Sequence, residues 1–258
     1  MSEEINFKEN ASDTARKSHT IGGPKMNQFT LETQVSDIVT AIPQTADLFR
    51  TLRIDYCCGG KVPLEEAAIK RKLDPEAVLE QLKHIESEFI NYQESRPASL
   101  TGLELMDYIK HKHHAFLRDE LPAMTPYVTK LARVHGGHHP ELLRVEEIFA
   151  ELKKELLEHT EDEEQNVFPL MSEYFTEQGH EISAALKQQI TELVDEHEQA
   201  GNLLKELREI TSDFGVPADA CGTYRLVYQR LANLEKETFE HIHLENNILF
   251  KPFRTGLQ

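Results

Sequence analysis

The chain has 258 residues, and its 45 acidic side chains outnumber its 28 lysines and arginines, which gives a formal net charge of −17 at pH 7. This charge excludes a nucleic-acid-binding protein, because such proteins present a basic surface to the phosphate backbone. Hydrophobic residues make up 39% of the chain, and no apolar run approaches the roughly 18 residues of a membrane-spanning helix, so we expect a soluble protein with neither nucleic acid nor membrane as partner.

The first 94 residues divide into a tail and a small domain. Residues 1–28 are polar, balanced in charge and without the apolar core of a signal peptide, so we expect a disordered tail. Short helix signals then predict a small helical domain over residues 29–94. Ser36 is expected to cap a helix and Pro43 to open a turn. Two further helices are expected to begin at Pro63 and at Asp74 with Pro75.

Four long helical segments follow a linker at residues 95–100. A capping box formed by Thr101 and Glu104 marks the start of the first segment. Because short connections make neighbouring helices antiparallel, the pattern predicts an all-α protein with an up-down-up-down bundle over residues 101–253. The four segments cover residues of about 101–133, 140–174, 179–212 and 217–251.

Histidine and glutamate interrupt the apolar stripes of the second and fourth segments at the same spacing. The two stripes are Ile148, Leu152, Leu156, His159, Glu163, Val167 and Leu170, and Leu231, Leu234, Thr238, His241, Glu245, Ile248 and Pro252. A step of four residues keeps two side chains on one helix face, so each His–Glu pair can converge on one ion. A metal also removes the cost of burying an unpaired carboxylate. The alternative is a buried His–Glu ion pair, which the repetition on two helices disfavours.

Histidines in the other two segments extend this pattern. The third segment has His197 in its stripe, and the first has a cluster of His111, His113 and His114, from which the residues alone select none. Four imidazoles and two carboxylates predict a dinuclear site, in which each ion has two nitrogen and two oxygen ligands if both carboxylates bridge. Such ligands suit iron, and they leave manganese and zinc open. Four other histidines are expected to contact solvent: His19, His84, His180 and His243.

Cys57 and Cys58 precede Gly59 and Gly60 between two helix signals. Adjacent cysteines cannot form an unstrained disulfide, and the amides of a helix that began there would lower a thiol pKa. The residues alone favour a buried pair at a turn over a redox or iron-handling pair. Cys221 is expected to pack in the interior. Three cysteines without a disulfide framework indicate a reducing compartment, and we therefore expect a cytoplasmic protein.

Several motifs together resemble one known family. They are E-L-P at 120–122, H-T-E-D-E-E-Q-N-V-F-P at 159–169, D-E-H-E-Q-A-G at 195–201 and H-I-H-L-E-N-N-I-L-F at 241–250. These motifs resemble the hemerythrin-like domain of the iron-sulfur cluster repair di-iron proteins. The segment D-Y-C-C-G-G at 55–60 resembles the small amino-terminal domain of the same family, so the resemblance covers about residues 29–253.

The resemblance implies a centre of two iron ions with two bridging glutamates. Its six ligands would be His114, His159, Glu163, His197, His241 and Glu245. The family spacing back from Leu121 and Pro122 selects His114 over His113. Oxygen-carrying hemerythrins have one further histidine and an aspartate where this chain has Gly201 and Asn246. The implied site is therefore more open, which suits an iron donor better than an oxygen carrier.

The resemblance also implies a function. The protein would restore iron-sulfur clusters damaged by nitric oxide or peroxide by donating iron, and it would be a repair protein rather than a classical enzyme. Cys57 and Cys58 would be its reactive thiols, which pass iron to a damaged iron-sulfur protein or a cluster scaffold. A sensor that binds oxygen or nitric oxide reversibly and an enzyme that reduces nitric oxide stay open, as does the choice between a monomer and a homodimer.

Overall fold

The structure, a computed structural model, describes residues 29–90, 100–176 and 182–254. Within these ranges all regular structure is helical, apart from an isolated bridge between Gln34 and Pro63, and no helix there is both long and apolar enough to cross a membrane. The prediction of an all-α fold is confirmed. The predicted tail and residues 95–99 of the predicted linker lie outside the described residues, so the predicted domain limits stay predictions.

Four helices form the small domain, and prolines begin two of them. Pro63 occupies the cap position of α3, and Pro75 is the first residue of α4. A proline suits these positions because its φ is already helical and its missing amide would have no partner in the first turn. The helices are α1 Val35–Ala41, α2 Thr45–Thr51, α3 Leu64–Lys70 and α4 Pro75–Ile90.

The start of α1 differs from the prediction. Ser36 does not cap the helix, because α1 begins at Val35 and Ser36 is buried inside it. The amides of Val35 and Ser36 instead donate to the carbonyl oxygens of Val62 and Gly60, at 3.1 and 2.8 Å. The loop that follows the cysteines therefore caps α1.

The bundle has four helices, of which three contain a π-helical turn. Helix 1 comprises α5 Gly102–Ile109, a π turn at Lys110–His114 and α6 Ala115–His135, and helix 2 comprises α7 Glu141–Asp162, a π turn at Glu163–Val167 and α8 Phe168–Thr176. Helix 3 is α9 Ala184–Ile210, and helix 4 comprises α10 Gly222–Leu244, a π turn at Glu245–Leu249 and α11 Lys251–Arg254. Contacts join α6 to α7, α7 to α9, α9 to α10 and α10 to α6, which is the closed order of an up-down-up-down bundle.

The predicted capping box begins helix 1. The hydroxyl of Thr101 accepts a hydrogen bond from the amide of Glu104 at 3.4 Å, and the Glu104 carboxylate accepts one from the amide of Thr101 at 2.8 Å. Two amides of the first turn, which have no partner inside the helix, are satisfied in this way.

We expect Thr101→Ala to lower the free energy of unfolding by about 1 kcal/mol, because it leaves the Glu104 amide without this acceptor. Urea denaturation followed by circular dichroism measures the change. Thr101→Ser keeps a hydroxyl at the cap and serves as the matched control. A loss as large in the serine variant would show that the cap does not stabilise the helix.

Two apolar clusters fill the interior on either side of a polar layer. One cluster joins the small domain to one end of the bundle and includes Val35 and Leu204, and the other lies at the opposite end and includes Ile109 and Phe250. On every bundle helix, the change from one cluster to the other occurs at the histidine or glutamate predicted as a ligand. The polar layer is therefore enclosed between two apolar clusters.

The π turns change which side chains face the interior. Leu170, which the stripe predicted as buried, is 36% exposed, whereas Phe168 and Met171 are buried. A π turn holds about one residue more than an α turn, so it rotates all following side chains about the helix axis. After the π turn of helix 4, Phe250 and Phe253 are buried in the same way.

Candidate metal centre

Six side chains from the four bundle helices meet in the polar layer. They form two groups that share both glutamates: His114, Glu163, His241 and Glu245, and His159, Glu163, His197 and Glu245. Within each group the candidate ligand atoms lie within 4.8 Å of one another, and all six residues are buried. These are the six residues that the sequence singled out, and their binding of metal stays a prediction.

The histidines are oriented so that Nε2 points towards the centre. Three of them donate from Nδ1 to a side-chain oxygen at 2.6 to 3.0 Å: His114 to Glu164, His159 to Glu196 and His197 to Asn246. A proton on Nδ1 leaves the lone pair on Nε2, as a metal ligand requires. The Nε2 atoms face each other at 3.2 Å in the pair His114 and His241, and at 2.9 Å in the pair His159 and His197.

The two glutamates give the strongest indication of cations. Glu163 and Glu245 are 0% exposed, and their four carboxylate oxygens have no hydrogen-bond partner among the described residues. Their nearest neighbours include the Nε2 atoms of His241, 2.9 Å from Glu245, and of His114, 3.3 Å from Glu163. Burying two carboxylates without donors costs on the order of several kcal/mol, whereas cations between them would remove that cost. The residues present therefore fit a pair of metal ions.

In the metal-free protein, protons balance this negative charge. Burial opposes protonation of His114, but the adjacent carboxylates of Glu163 and Glu245 favour its charged form, outweigh the effect of burial and raise the pKa of His114 to about 10. The same balance raises the pKa of His197 to about 9, whereas burial lowers the pKa of His241 to about 3. His114 and His197 are therefore protonated at neutral pH when no metal is bound.

We expect metal loading at pH 7 to release about two protons per chain, because imidazoles bind metal only when neutral. The affinity should therefore increase with pH up to the pKa of His114, about 10, and each unit of decrease below the pKa of His197, about 9, should weaken binding about 100-fold. Calorimetric titration with Mn²⁺ in buffers of different ionisation enthalpy measures the protons released. A heat that is independent of the buffer would contradict this expectation.

The local geometry around the ligands was not predicted. His114 is the last residue of the π turn in helix 1, and Glu163 and Glu245 are the first residues of the π turns in helices 2 and 4. π turns are frequent at functional sites, because a wider turn places side chains where a regular helix cannot. No pattern in the sequence marked these turns, and none marked Glu164, Glu196 or Asn246 as partners of the histidines.

The structure distinguishes the three clustered histidines of helix 1. His114 belongs to the site, whereas His111 is exposed. His113 is 1% exposed but belongs to neither group; its ring stacks on that of His241 with the centroids 5.8 Å apart. The choice of His114 thus depends on rotation about the helix axis, by which adjacent residues differ by about 100°.

Cys57 and Cys58 lie in a turn that one carboxylate holds together. Oδ1 of Asp55 accepts hydrogen bonds from the amides of Cys57, Cys58 and Gly59, at 3.1, 3.0 and 3.0 Å. Oδ2 of Asp55 lies 2.6 Å from Nζ of Lys205 on helix 3. No helix begins here, so the expected effect of helix amides on the thiols does not occur. The two sulfurs are 3.7 Å apart, and both thiols are free.

Cys58 contacts helix 3 at a candidate ligand. Its Sγ lies 3.6 Å from the carbonyl oxygen of His197, and a Cβ built on Gly201 would lie 3.5 Å from the same sulfur. The hydrogen bond between the two thiols lowers the pKa of Cys58 and raises that of Cys57, which burial raises further. Cys58 is therefore the more acidic thiol, and it lies against the backbone of the helix that carries His197.

The expectation that His243 contacts solvent is wrong. The small domain covers it: Nε2 lies 3.2 Å from the hydroxyl of Thr40, and Nδ1 lies 3.2 Å from the carbonyl oxygen of Tyr56. Burial lowers the pKa of His243 to about 4, so the ring is neutral. The stripe of helix 4 did not reveal this, because the burial comes from another domain.

The expectation for Cys221 is also wrong. Cys221 is exposed at the cap position of α10, with its sulfur 3.3 Å from Nε2 of His135, because a residue at a helix end need not face the interior. His84 is exposed, as expected. The expectations for His19 and His180 lie outside the described residues.

Comparison with known families assigns both parts of the chain. Residues 106–252, more than half of the chain, match the hemerythrin HHE cation binding domain. Residues 31–86 match the ScdA_N domain, which is described as a domain of unknown function. The bundle is therefore a hemerythrin-like domain, and the small helical domain precedes it as predicted.

The match to individual proteins covers almost the whole length of each relative. The iron-sulfur cluster repair protein ScdA of Staphylococcus haemolyticus is 39% identical over 227 residues, which are 87% of this chain and 99% of the relative. ScdA of Staphylococcus epidermidis is 40% identical over 224 residues, 86% of this chain and 98% of the relative. The chain belongs to the iron-sulfur cluster repair protein family. The repair protein YtfE of Escherichia coli O157:H7, at 32% identity over 84% of this chain and 94% of its own length, is a more distant member.

Proposed function

We propose that this protein repairs iron-sulfur clusters damaged by nitrosative or oxidative stress, and that it does so by donating iron from a di-iron centre. The observation that carries the proposal is the pair of buried glutamates, whose oxygens have no hydrogen-bond partner and which both ligand groups share. Glu163 and Glu245, which belong to both ligand groups, would hold both ions, and the four histidines would complete six protein ligands. Six protein ligands for two ions would favour exchange of iron over permanent retention.

A cleft beside His159 supports release to solvent. It has a volume of about 280 Å³, and both His159 and His197 line it. Its acidic residues are Glu155, Glu158, Asp162 and Glu196. A hydrogen bond from His159 lowers the pKa of Glu196, so this carboxylate stays ionised at neutral pH. Carboxylates at the mouth of the cleft offer oxygen ligands to a leaving cation.

The cysteine pair supports transfer of iron through thiols. Cys58 lies against the backbone of His197, and thiolates are good ligands for iron. Ion pairs hold the small domain on the bundle, at 2.6 Å between Asp55 and Lys205 and at 3.0 Å between Asp47 and Lys236. These ion pairs keep the cysteine loop beside the helix that carries His197.

The proposal includes an acceptor and a compartment. The acceptor is a damaged iron-sulfur protein or a cluster scaffold, and the net charge of −17 favours one with a basic surface. Cys57, Cys58 and Cys221 are all free, which agrees with a reducing cytoplasm.

The proposal predicts that the chain, loaded anaerobically with ferrous iron, reactivates an enzyme whose cluster nitric oxide has damaged. Glu163→Leu should abolish the reactivation, because it removes an oxygen ligand from both ion positions. The activity regained by the enzyme and the iron transferred to it are both measured. Glu173→Leu, an exposed position in the same bundle helix, is the control. Equal reactivation by Glu163→Leu and the unaltered chain would refute donation from this site.

Stopped-flow spectroscopy with nitric oxide distinguishes donation from the two other functions. Loss of iron to an added acceptor supports donation. A reversible spectral change without loss of iron indicates a sensor, and nitrous oxide formed over many turnovers indicates a reductase.

A further inference from the structure

A second cleft lies between the small domain and the bundle. It has a volume of about 280 Å³ and separates α1 and α2 from helices 1 and 4. Its wall combines apolar side chains with two aromatic rings: Val39, Pro43, Ala46, Leu244, Ile248, Tyr56 and Tyr108. None of the six candidate metal ligands lines it, so this cleft is independent of the proposed function. Clefts between domains are common places for small-molecule sites.

Four charged side chains of alternating sign line this cleft: Asp47, Lys236, Glu240 and Lys112. Nζ of Lys236 lies 3.0 Å from Asp47 and 3.9 Å from Glu240, and Nζ of Lys112 lies 3.4 Å from Glu240. Their side chains are 26% to 55% exposed, so all four remain accessible to a ligand. Two ammonium groups beside two carboxylates complement a ligand that carries both charges, whereas they offer no net attraction to a simple anion or cation.

The cleft also contains a buried histidine whose ring nitrogens lack a geometrically good hydrogen bond. His113 lines it and is 1% exposed, yet neither ring nitrogen makes a hydrogen bond among the described residues. The nearest carboxylate, that of Glu237, lies 3.5 Å from Nδ1. Buried polar groups are nearly always hydrogen-bonded, because leaving them unpaired costs the free energy of desolvation. His113 is thus a group to which a bound molecule would supply the missing hydrogen bond.

We propose that this cleft binds a small zwitterion with an apolar side chain, of the α-amino acid class. The ammonium group of the ligand faces Asp47 and Glu240, and its carboxylate faces Lys112 and Lys236. Its side chain lies on the apolar wall, and the volume of the cleft matches a molecule of this size. Because the cleft has one wall from each domain, the ligand also bridges the small domain and the bundle.

Calorimetric titration of the full chain with L-phenylalanine tests the proposal. We expect saturable binding of one molecule per chain. Phenylalanine amide, which lacks the carboxylate, and N-acetylphenylalanine, which lacks the ammonium group, should each bind at least tenfold more weakly. Absence of saturable binding by L-phenylalanine, or equal binding of the three compounds, would overturn the proposal.

Variants of the cleft test whether the amino acid binds there. Lys236→Met and Asp47→Asn each remove one charge from the cleft and should weaken binding at least tenfold. Gln44→Trp narrows the cleft from an exposed position without removing a charge, and it should weaken binding as well. Lys130→Met removes an exposed lysine outside the cleft and should bind like the unaltered chain. Unchanged affinity in both Lys236→Met and Gln44→Trp would place the ligand elsewhere and refute the site.

Discussion

The double variant Glu163→Gln, Glu245→Gln should lose the metal ions and, in the absence of metal, the pH dependence of stability that the two carboxylates create. Both carboxylates are 0% exposed, and in the metal-free chain they hold protons on His114 and His197, whose pKa values are about 10 and about 9. Folding therefore takes up protons, and the free energy of unfolding of the metal-free unaltered chain should decrease as the pH rises from about 6.5 to about 9. In the variant, burial lowers the pKa of both histidines once the carboxylates are gone, so this decrease should disappear.

Two measurements test these effects. Denaturation of the metal-free proteins at about pH 6.5 and about pH 9 should show a lower free energy of unfolding at the higher pH for the unaltered chain and little change for the variant, and metal analysis after loading should show a decrease from about two ions per chain to well under one. Glu173→Gln, at an exposed position of the same bundle helix, controls for loss of charge in general. An equal pH dependence in the variant and the unaltered chain would show that the carboxylates do not hold these protons, and a variant that still binds two ions would contradict the metal site.

Gly201→Leu should release the loop of Cys57 and Cys58 from helix 3. A Cβ at position 201 would make an ordinary contact with the sulfur of Cys58, at 3.5 Å, but the branched end of leucine would overlap that sulfur. We expect the rate of alkylation of Cys58 in the native protein to increase at least tenfold, which corresponds to about 1.4 kcal/mol of lost docking. Mass spectrometry of the alkylated protein measures the rate for each cysteine separately.

Gly201→Ala is the matched control for this variant. It adds only the tolerated Cβ and, because alanine favours a helix over glycine, should stabilise the chain by about 1 kcal/mol without changing the alkylation rate. Equal alkylation rates in the leucine variant and the unaltered chain would show that packing of the cysteine loop on helix 3 does not depend on Gly201.

Gly201 thereby acquires a physical role. Oxygen-carrying hemerythrins, which the bundle resembles, have a histidine at the position of Gly201. In this structure the missing side chain leaves room for Cys58, while Asp55 and Lys205 join the loop to the same helix. The position thus accommodates a thiol in place of an imidazole, which agrees with exchange of iron.

Short-range patterns in the sequence were enough to predict the helices and most of the site. The pairs His159 with Glu163 and His241 with Glu245 share a helix face because they are four residues apart, a spacing that depends on helix geometry alone. The capping box at Thr101 and the helix start at Pro63 are likewise properties of a few consecutive residues. Such features depend mainly on consecutive residues, so the sequence shows them directly. Ser36 is the exception, because a loop from elsewhere in the small domain caps α1 instead.

Only the tertiary structure decided features that depend on contacts between distant segments. The π turn that ends at His114 places this histidine in the site and His113 beside it, a difference of rotation that no apolar pattern specifies. The bond from His159 to Glu196 joins two helices, and the burial of His243 comes from the small domain. These outcomes depend on how whole helices pack, because long-range hydrogen bonds and burial arise only when separate elements meet.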